Sequence, residues 1–119
     1  MRKILILLAM VALSATSAHA ALRTVGKGDS LRFDPSSIPG NLKGHYDIVR
    51  VRCVKCHTLE RTVVAVQTGV APISGQPFDH KATKAYGIKM LRKPDSNMTK
   101  AEVKAAVDLL NYLVDEAQR

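Results

Sequence analysis

Both cysteines of this 119-residue chain fall in one five-residue stretch, Cys53-Val54-Lys55-Cys56-His57, with a histidine directly after the second. Three chemistries use closely spaced cysteines beside a histidine. A redox dithiol places C-x-x-C after a strand at the start of a helix, and no strand pattern precedes Cys53. A structural zinc site needs four ligands. Cys53, Cys56 and one of His45 or His80 would supply three, and adjacent Cys56 and His57 do not easily bind one tetrahedral ion together. The third chemistry is covalent haem attachment through C-x-x-C-H. Two thiols one turn apart can each form a thioether to a vinyl side chain of a porphyrin. The imidazole of His57 then projects toward the iron as its proximal ligand. In this reading the cysteines are tethers, the histidine is a ligand, and the cofactor is one haem c.

The elements around the motif must suit that chemistry. The first twenty residues have a positive start (Arg2, Lys3), an apolar run from Ile4 to about Leu13, and a small-residue end, Ala18-His19-Ala20. This is the layout of a cleaved secretory signal, with the mature chain expected from Ala21. The run is well short of the roughly 20 residues a spanning helix needs, so no membrane span is expected after cleavage. No cysteine near the cleavage site offers a lipid anchor. A periplasmic or otherwise exported location follows, and export is where this attachment is completed.

Small exported domains with thin cores usually carry several disulfides. Here the single cysteine pair is too close together to close a useful loop. The apolar inventory is thin as well, with no Trp, two Phe and three Tyr. A large apolar cofactor would fill the interior. Without Arg2 and Lys3 the chain carries 16 basic against 10 acidic residues, a balance of +6. That charge favours an acidic partner surface. Nucleic acid is a poor fit, because no basic patch is interleaved with aromatics.

Residues 21–38 mix Gly, Ser, Pro and charges without helical period and read as an extended N-terminal arm. From Pro39, placed in the first turn of a helix, Leu42, Tyr46, Val49 and Cys53 mark one helical face that leads into the motif. Leu59, Val63 and Val66 continue a helical period after it, weakened by the β-branched run Thr62-Val63-Val64. Residues 69–78 are a loop by composition. Asp79 is placed to cap a short helix to about Leu91, with Ala82, Tyr86 and Met90 on one face. Thr99 and Glu102 form a T-x-x-E capping box, and Val103, Val107, Leu110 and Leu113/Val114 make an apolar stripe behind it. The expectation is an all-α domain over residues 39–119, with no strand-period segment and no internal repeat.

With these residues in view, the chain resembles the small monohaem c-type cytochromes of the class I kind over roughly residues 39–116. In that family an N-terminal helix runs into C-x-x-C-H, a ligand methionine lies downstream, and a C-terminal helix crosses the first. Ile48-Val49, five and four positions before Cys53, match an apolar/aromatic pair of the family, and Tyr112-Leu113 match the aromatic-leucine pair of its last helix. One departure stands out. The family's helix-crossing glycine sits eight residues before the first cysteine, where this chain has His45, with Gly44 one place off. The resemblance implies a cytochrome c-like fold, with the N- and C-terminal helices packed around one covalently attached haem.

The sixth iron ligand has four candidates in the mature chain: Met90, Met98, His80 and His45. Methionine sulfur raises the reduction potential relative to two imidazoles. Met90 lies nine residues before the cap Thr99, which resembles the family's placement and makes it the distal axial ligand in this reading. Met98 is the second choice. It directly precedes the cap, where an apolar side chain packs on the first turn of its own helix. An ordinary role for either methionine is to fill gaps in a core. His45 reads as an exposed helix residue and His80 as part of a capping region. Pro72 resembles the family's loop proline whose carbonyl accepts the ligand imidazole's Nδ1–H, and equally reads as an ordinary turn proline. Arg61, one turn past His57, could pair with a haem propionate or stand as a solvated helix residue.

The expected function is single-electron transfer between redox proteins, by Fe(II)/Fe(III) cycling, in a monomer or a subunit of a respiratory assembly. It is not an enzyme, since no side chain needs to do acid/base work. Lys55 lies inside the motif, and Lys81, Lys84, Lys89, Arg92 and Lys93 flank Met90. Ringing an exposed haem edge, they would steer an acidic partner. Two rival readings are a haem enzyme or gas-binding sensor with an open sixth position, and a docking subunit tethered through residues 21–38.

Overall fold

The structure, a computed structural model, describes residues 22–119. The export signal expected at residues 1–20 lies outside the described residues. Four α-helices dominate: α1 (Lys43–Arg52), α2 (Glu60–Thr68), α3 (His80–Leu91) and α4 (Lys100–Ala117). The mostly helical expectation holds, with one correction. A two-stranded antiparallel sheet, β1 (Thr24–Val25) with β2 (Arg32–Phe33), precedes the helices and pairs Thr24 with Phe33.

That pairing changes the reading of the N-terminal segment. Gly26, at φ +82°, turns the chain between the strands in the left-handed region that favours glycine, and its α-carbon faces the Ser30 carbonyl too closely for a side chain. The strands are two residues each, too short to print an alternating pattern in the sequence. Phe33 is fully buried (0%) and Ile38 nearly so, both within the main core. The Tyr46 hydroxyl donates to the Phe33 carbonyl at 2.7 Å, fastening β2 to α1. Residues 22–38 are therefore a packed flap of the domain rather than an arm.

The first helix starts later than Pro39 implies. Gly40–Leu42 form a 3₁₀ turn capped by Pro39, and α1 begins at Lys43. Gly and Asn are weak helix formers, so the entry tightens before the regular helix takes over. Tyr46 and Val49 are then buried and Leu42 and Cys53 half-buried, as the spacing predicts. In α2 the β-branched run remains helical because Val63 and Val66 are fully buried, and packing outweighs the modest propensity loss.

Local signals hold at the later helix starts. Asp79 Oδ1 accepts the Ala82 N–H at 2.9 Å, and Thr99 and Glu102 exchange both bonds of the capping box at 3.1 and 2.8 Å. Helix α4 packs against α1, α2 and α3. Leu109, Leu113 and Val114 face the core. Gly44 makes no close helix crossing, since a Cβ there would meet nothing within 4 Å. The close approach is at Gly87 of α3, where a Cβ would lie 2.8 Å from Val107 Cγ2 and 3.1 Å from Val103 Cγ1 of α4.

Candidate functional site

Helix α1 delivers Cys53 at its C-terminal cap, where the Cys53 N–H donates to the Val49 carbonyl at 3.1 Å. The chain then turns through Val54–Thr58 before α2 begins. Cys53 is half-buried and Cys56 exposed, and both are free thiols. Burial pushes the Cys53 thiol pKa above its ordinary value. A reactive redox cysteine needs the opposite, a thiolate favoured at a helix N-terminus or beside a cation. The helix C-terminus is the wrong end of the dipole for it. The dithiol reading therefore has neither the strand nor the electrostatics it requires.

His57 is partly buried, and its Nδ1 lies 2.8 Å from the Thr58 carbonyl oxygen. A carbonyl only accepts, so this bond places the proton on Nδ1 and leaves the Nε2 lone pair free for a ligand. The expected partner was the carbonyl of Pro72. The adjacent residue takes that role instead, because the turn after the motif brings the Thr58 carbonyl to the ring without help from the loop.

Cys53, Cys56 and His57 line one cavity of about 560 Å³ together with both Met90 and Met98. The volume lies within the roughly 300–1,000 Å³ usual for ligand pockets. Its walls come from the 53–57 turn, α2, the 69–78 loop, α3, the α3–α4 connection and α4. The loop holds its shape through an isolated bridge between Val70 and Pro77, and the Phe78 N–H donates to the Gly69 carbonyl at 2.8 Å. Pro72 and Ile73 from that loop reach the cavity, with Ile73 74% exposed at its lip. Val103, Ala106, Val107 and Leu110 make the α4 wall, so three members of the expected apolar stripe, Val103, Val107 and Leu110, face the cavity.

Polar groups are few and lie mostly at the mouth. Lys55, Arg61, Lys89 and Lys93 line it, while Lys81, Lys84 and Arg92 are exposed away from it. Lys89 Nζ stands 6.0 Å from the centre of the Tyr86 ring. Thr83, fully buried, also borders the cavity and joins α3 to Asn111 of α4 through its hydroxyl at 2.5 Å. Of the other histidines, neither His45 nor His80 is a lining residue. His80 Nε2 instead meets Asp115 Oδ1 at 2.8 Å, with both side chains about half exposed. Among the described residues no group of three or more His, Cys, Asp and Glu side chains is gathered around one point.

Sequence reasoning missed three members of this neighbourhood: Arg52, Thr83 and Gly87. Arg52 carried a faint signal, as a charged residue directly before the motif. Thr83 and Gly87 carried none, because their roles depend on α4 being opposite. No family model, no curated protein and no solved structure matches the chain.

Proposed function

We propose that this protein is an exported monohaem c-type cytochrome that carries single electrons between redox proteins. One observation carries the reading: two thiols, an imidazole with a free Nε2 and two thioether sulfurs border the same mostly apolar cavity. This donor set fits haem c, with Cys53 and Cys56 as thioether tethers, His57 Nε2 as the proximal ligand and Met90 as the distal one. The haem, when bound, supplies the Fe(II)/Fe(III) couple. The chain's own residues bind and orient. The Thr58 carbonyl holds the His57 proton on Nδ1 and makes Nε2 a better donor. Val103, Val107, Leu110 and Phe78 exclude water from the cavity, which favours the less charged reduced state.

The exposed lysines at the mouth, Lys55, Lys89 and Lys93, suit an acidic redox partner. Among the described residues no helix is long and apolar enough to cross a membrane.

The test is maturation of the full chain with its export signal in a host that attaches haem covalently. The expected product is red, keeps its haem under denaturing electrophoresis, and has thiols closed to alkylation. A colourless product with both thiols free to alkylate overturns the proposal.

A further inference from the structure

Arg52, the last residue of α1, reaches across to the start of α4. Its Nη2 donates to the Asn97 carbonyl at 2.5 Å and to Glu102 Oε2 at 3.3 Å, while Nε lies 3.2 Å from Glu102 Oε1. Nε is buried and not aligned for a hydrogen bond with that oxygen. Both side chains are only 26% exposed. The guanidinium thus makes one charge-assisted hydrogen bond to the carboxylate with a second close charge contact beside it, and partial burial screens this pair less than a surface one.

What Arg52 holds is the α3–α4 connection, which carries Met98 and begins just past Met90 in the last turn of α3. That connection is a chain of tight turns. The Lys93 N–H donates to the Met90 carbonyl at 3.1 Å, the Ser96 N–H to the Lys93 carbonyl at 3.1 Å, and Asn97 ends the run at φ +48°. Met90 stands at one end of it, and Met98 follows Asn97 directly. The residue after Arg52 in the other direction is Cys53. One side chain therefore ties the cysteine-histidine turn to the methionine-bearing segment, across 45 and 50 residues of sequence.

We propose that Arg52 is a positioning residue for the methionine ligand. It sets the separation between the His57 wall and the sulfur wall of the cavity, and so the strength with which the sulfur holds its place against competing ligands. This rests on the haem reading above. Removing residues that orient a metal's direct ligands typically costs about 10–100-fold in metal affinity or activity, and a similar scale is taken for the hold of the sulfur. Arg52 acts one step further back, through the backbone at Asn97, so about tenfold is expected.

The experiment uses the matured full-length protein as wild type, Arg52→Gln and Arg52→Lys. Each is titrated with imidazole in the ferric state at 25 °C, and loss of the weak sulfur-to-iron absorption band at the red edge is followed. Melting temperature is recorded in parallel. Arg52→Gln is expected to need about tenfold less imidazole for half displacement, and Arg52→Lys an intermediate amount because one donor survives. A lowered melting temperature with an unchanged imidazole midpoint would show that Arg52 only supports packing and would overturn the positioning role. If Arg52→Gln fails to fold, Glu102→Gln, which removes only the carboxylate side of the latch, is titrated instead, with a reduced midpoint supporting the role and an unchanged one refuting it. A wild-type product without haem would instead sink the electron-carrier reading, and this inference with it.

Discussion

The Tyr46 hydroxyl donates to the main-chain carbonyl of Phe33 at 2.7 Å, a buried bond between the N-terminal flap and the first helix. Replacing Tyr46 by Phe leaves that carbonyl without a partner in a dry environment, which costs about 1–3 kcal/mol. A domain of this size loses roughly 4–8 °C in melting temperature per kcal/mol. Thermal denaturation of Tyr46→Phe is expected to show a drop of that order. A variant as stable as wild type would mean that this bond does not fasten the flap.

Gly87 allows α3 to approach α4. An Ala methyl there would press on Val107 Cγ2 at 2.8 Å and Val103 Cγ1 at 3.1 Å, and branched valines have few rotamers with which to yield. Overpacking costs about 1–3 kcal/mol against a helix-propensity gain of about 1 kcal/mol. Gly87→Ala is expected to lose stability in urea unfolding. Combining it with Val107→Ala should recover part of the loss, since the clash is then relieved. Purely additive losses would place the strain elsewhere.

The Glu102 carboxyl is held below its ordinary value of 4.5, first by the Thr99 N–H of the capping box and then by Arg52. A lowered value in the folded state means that the ionised group favours folding. Its contribution is present in full above the ordinary value and is lost as pH falls from there through the lowered one. Urea midpoints measured from about pH 7 down to about pH 3 should therefore fall more steeply for wild type than for Glu102→Gln. Parallel curves would remove Glu102 from the acid limb.

Met90 and Met98 border the same cavity, and each can be removed separately. In matured protein, Met90→Ala is expected to abolish the ferric red-edge band and lower the reduction potential, while Met98→Ala leaves both in place. The reverse pattern would move the ligand to Met98. Retention of the band in both single variants and in the double variant would exclude sulfur ligation altogether.

Lys55, Lys89 and Lys93 stand exposed at the cavity mouth. Electron exchange with an acidic redox protein is expected to slow as salt rises, over a range set by a screening length of about 10 Å at 0.1 M. Changing all three lysines to Gln should flatten that dependence and lower the rate at low salt. Stopped-flow rates that ignore ionic strength in the wild type would dismiss steering.

Much of this was legible from signals only a few residues long. The Thr99–Glu102 box, the Asp79 cap and the helical faces around Tyr46 and Val63 are relations between near neighbours, and the structure keeps each of them. What stayed hidden is pairwise and distant. Two-residue strands show no alternation, so β1 and β2 read as irregular chain. Gly87 looks like a weak spot in a helix until Val107 is placed against it. Arg52 reads as one more basic residue until Asn97 and Glu102 arrive opposite it. The Thr58 carbonyl is a different case. It is adjacent to His57, but a one-residue relation leaves no pattern in the sequence, and the resemblance points to Pro72 in that role.

Helix α4 serves two interiors at once. Leu109 and Leu113 belong to the packed centre, while Val107 and Leu110, on the same turns, border the cavity. Whatever occupies that space presses on the back of the beam that carries the rest of the molecule. Occupancy and cohesion would then be thermodynamically linked, so that a tightly held occupant would add to resistance against unfolding. Damage to the contents should show as loosening of the whole frame, long before any side chain on the outside is touched.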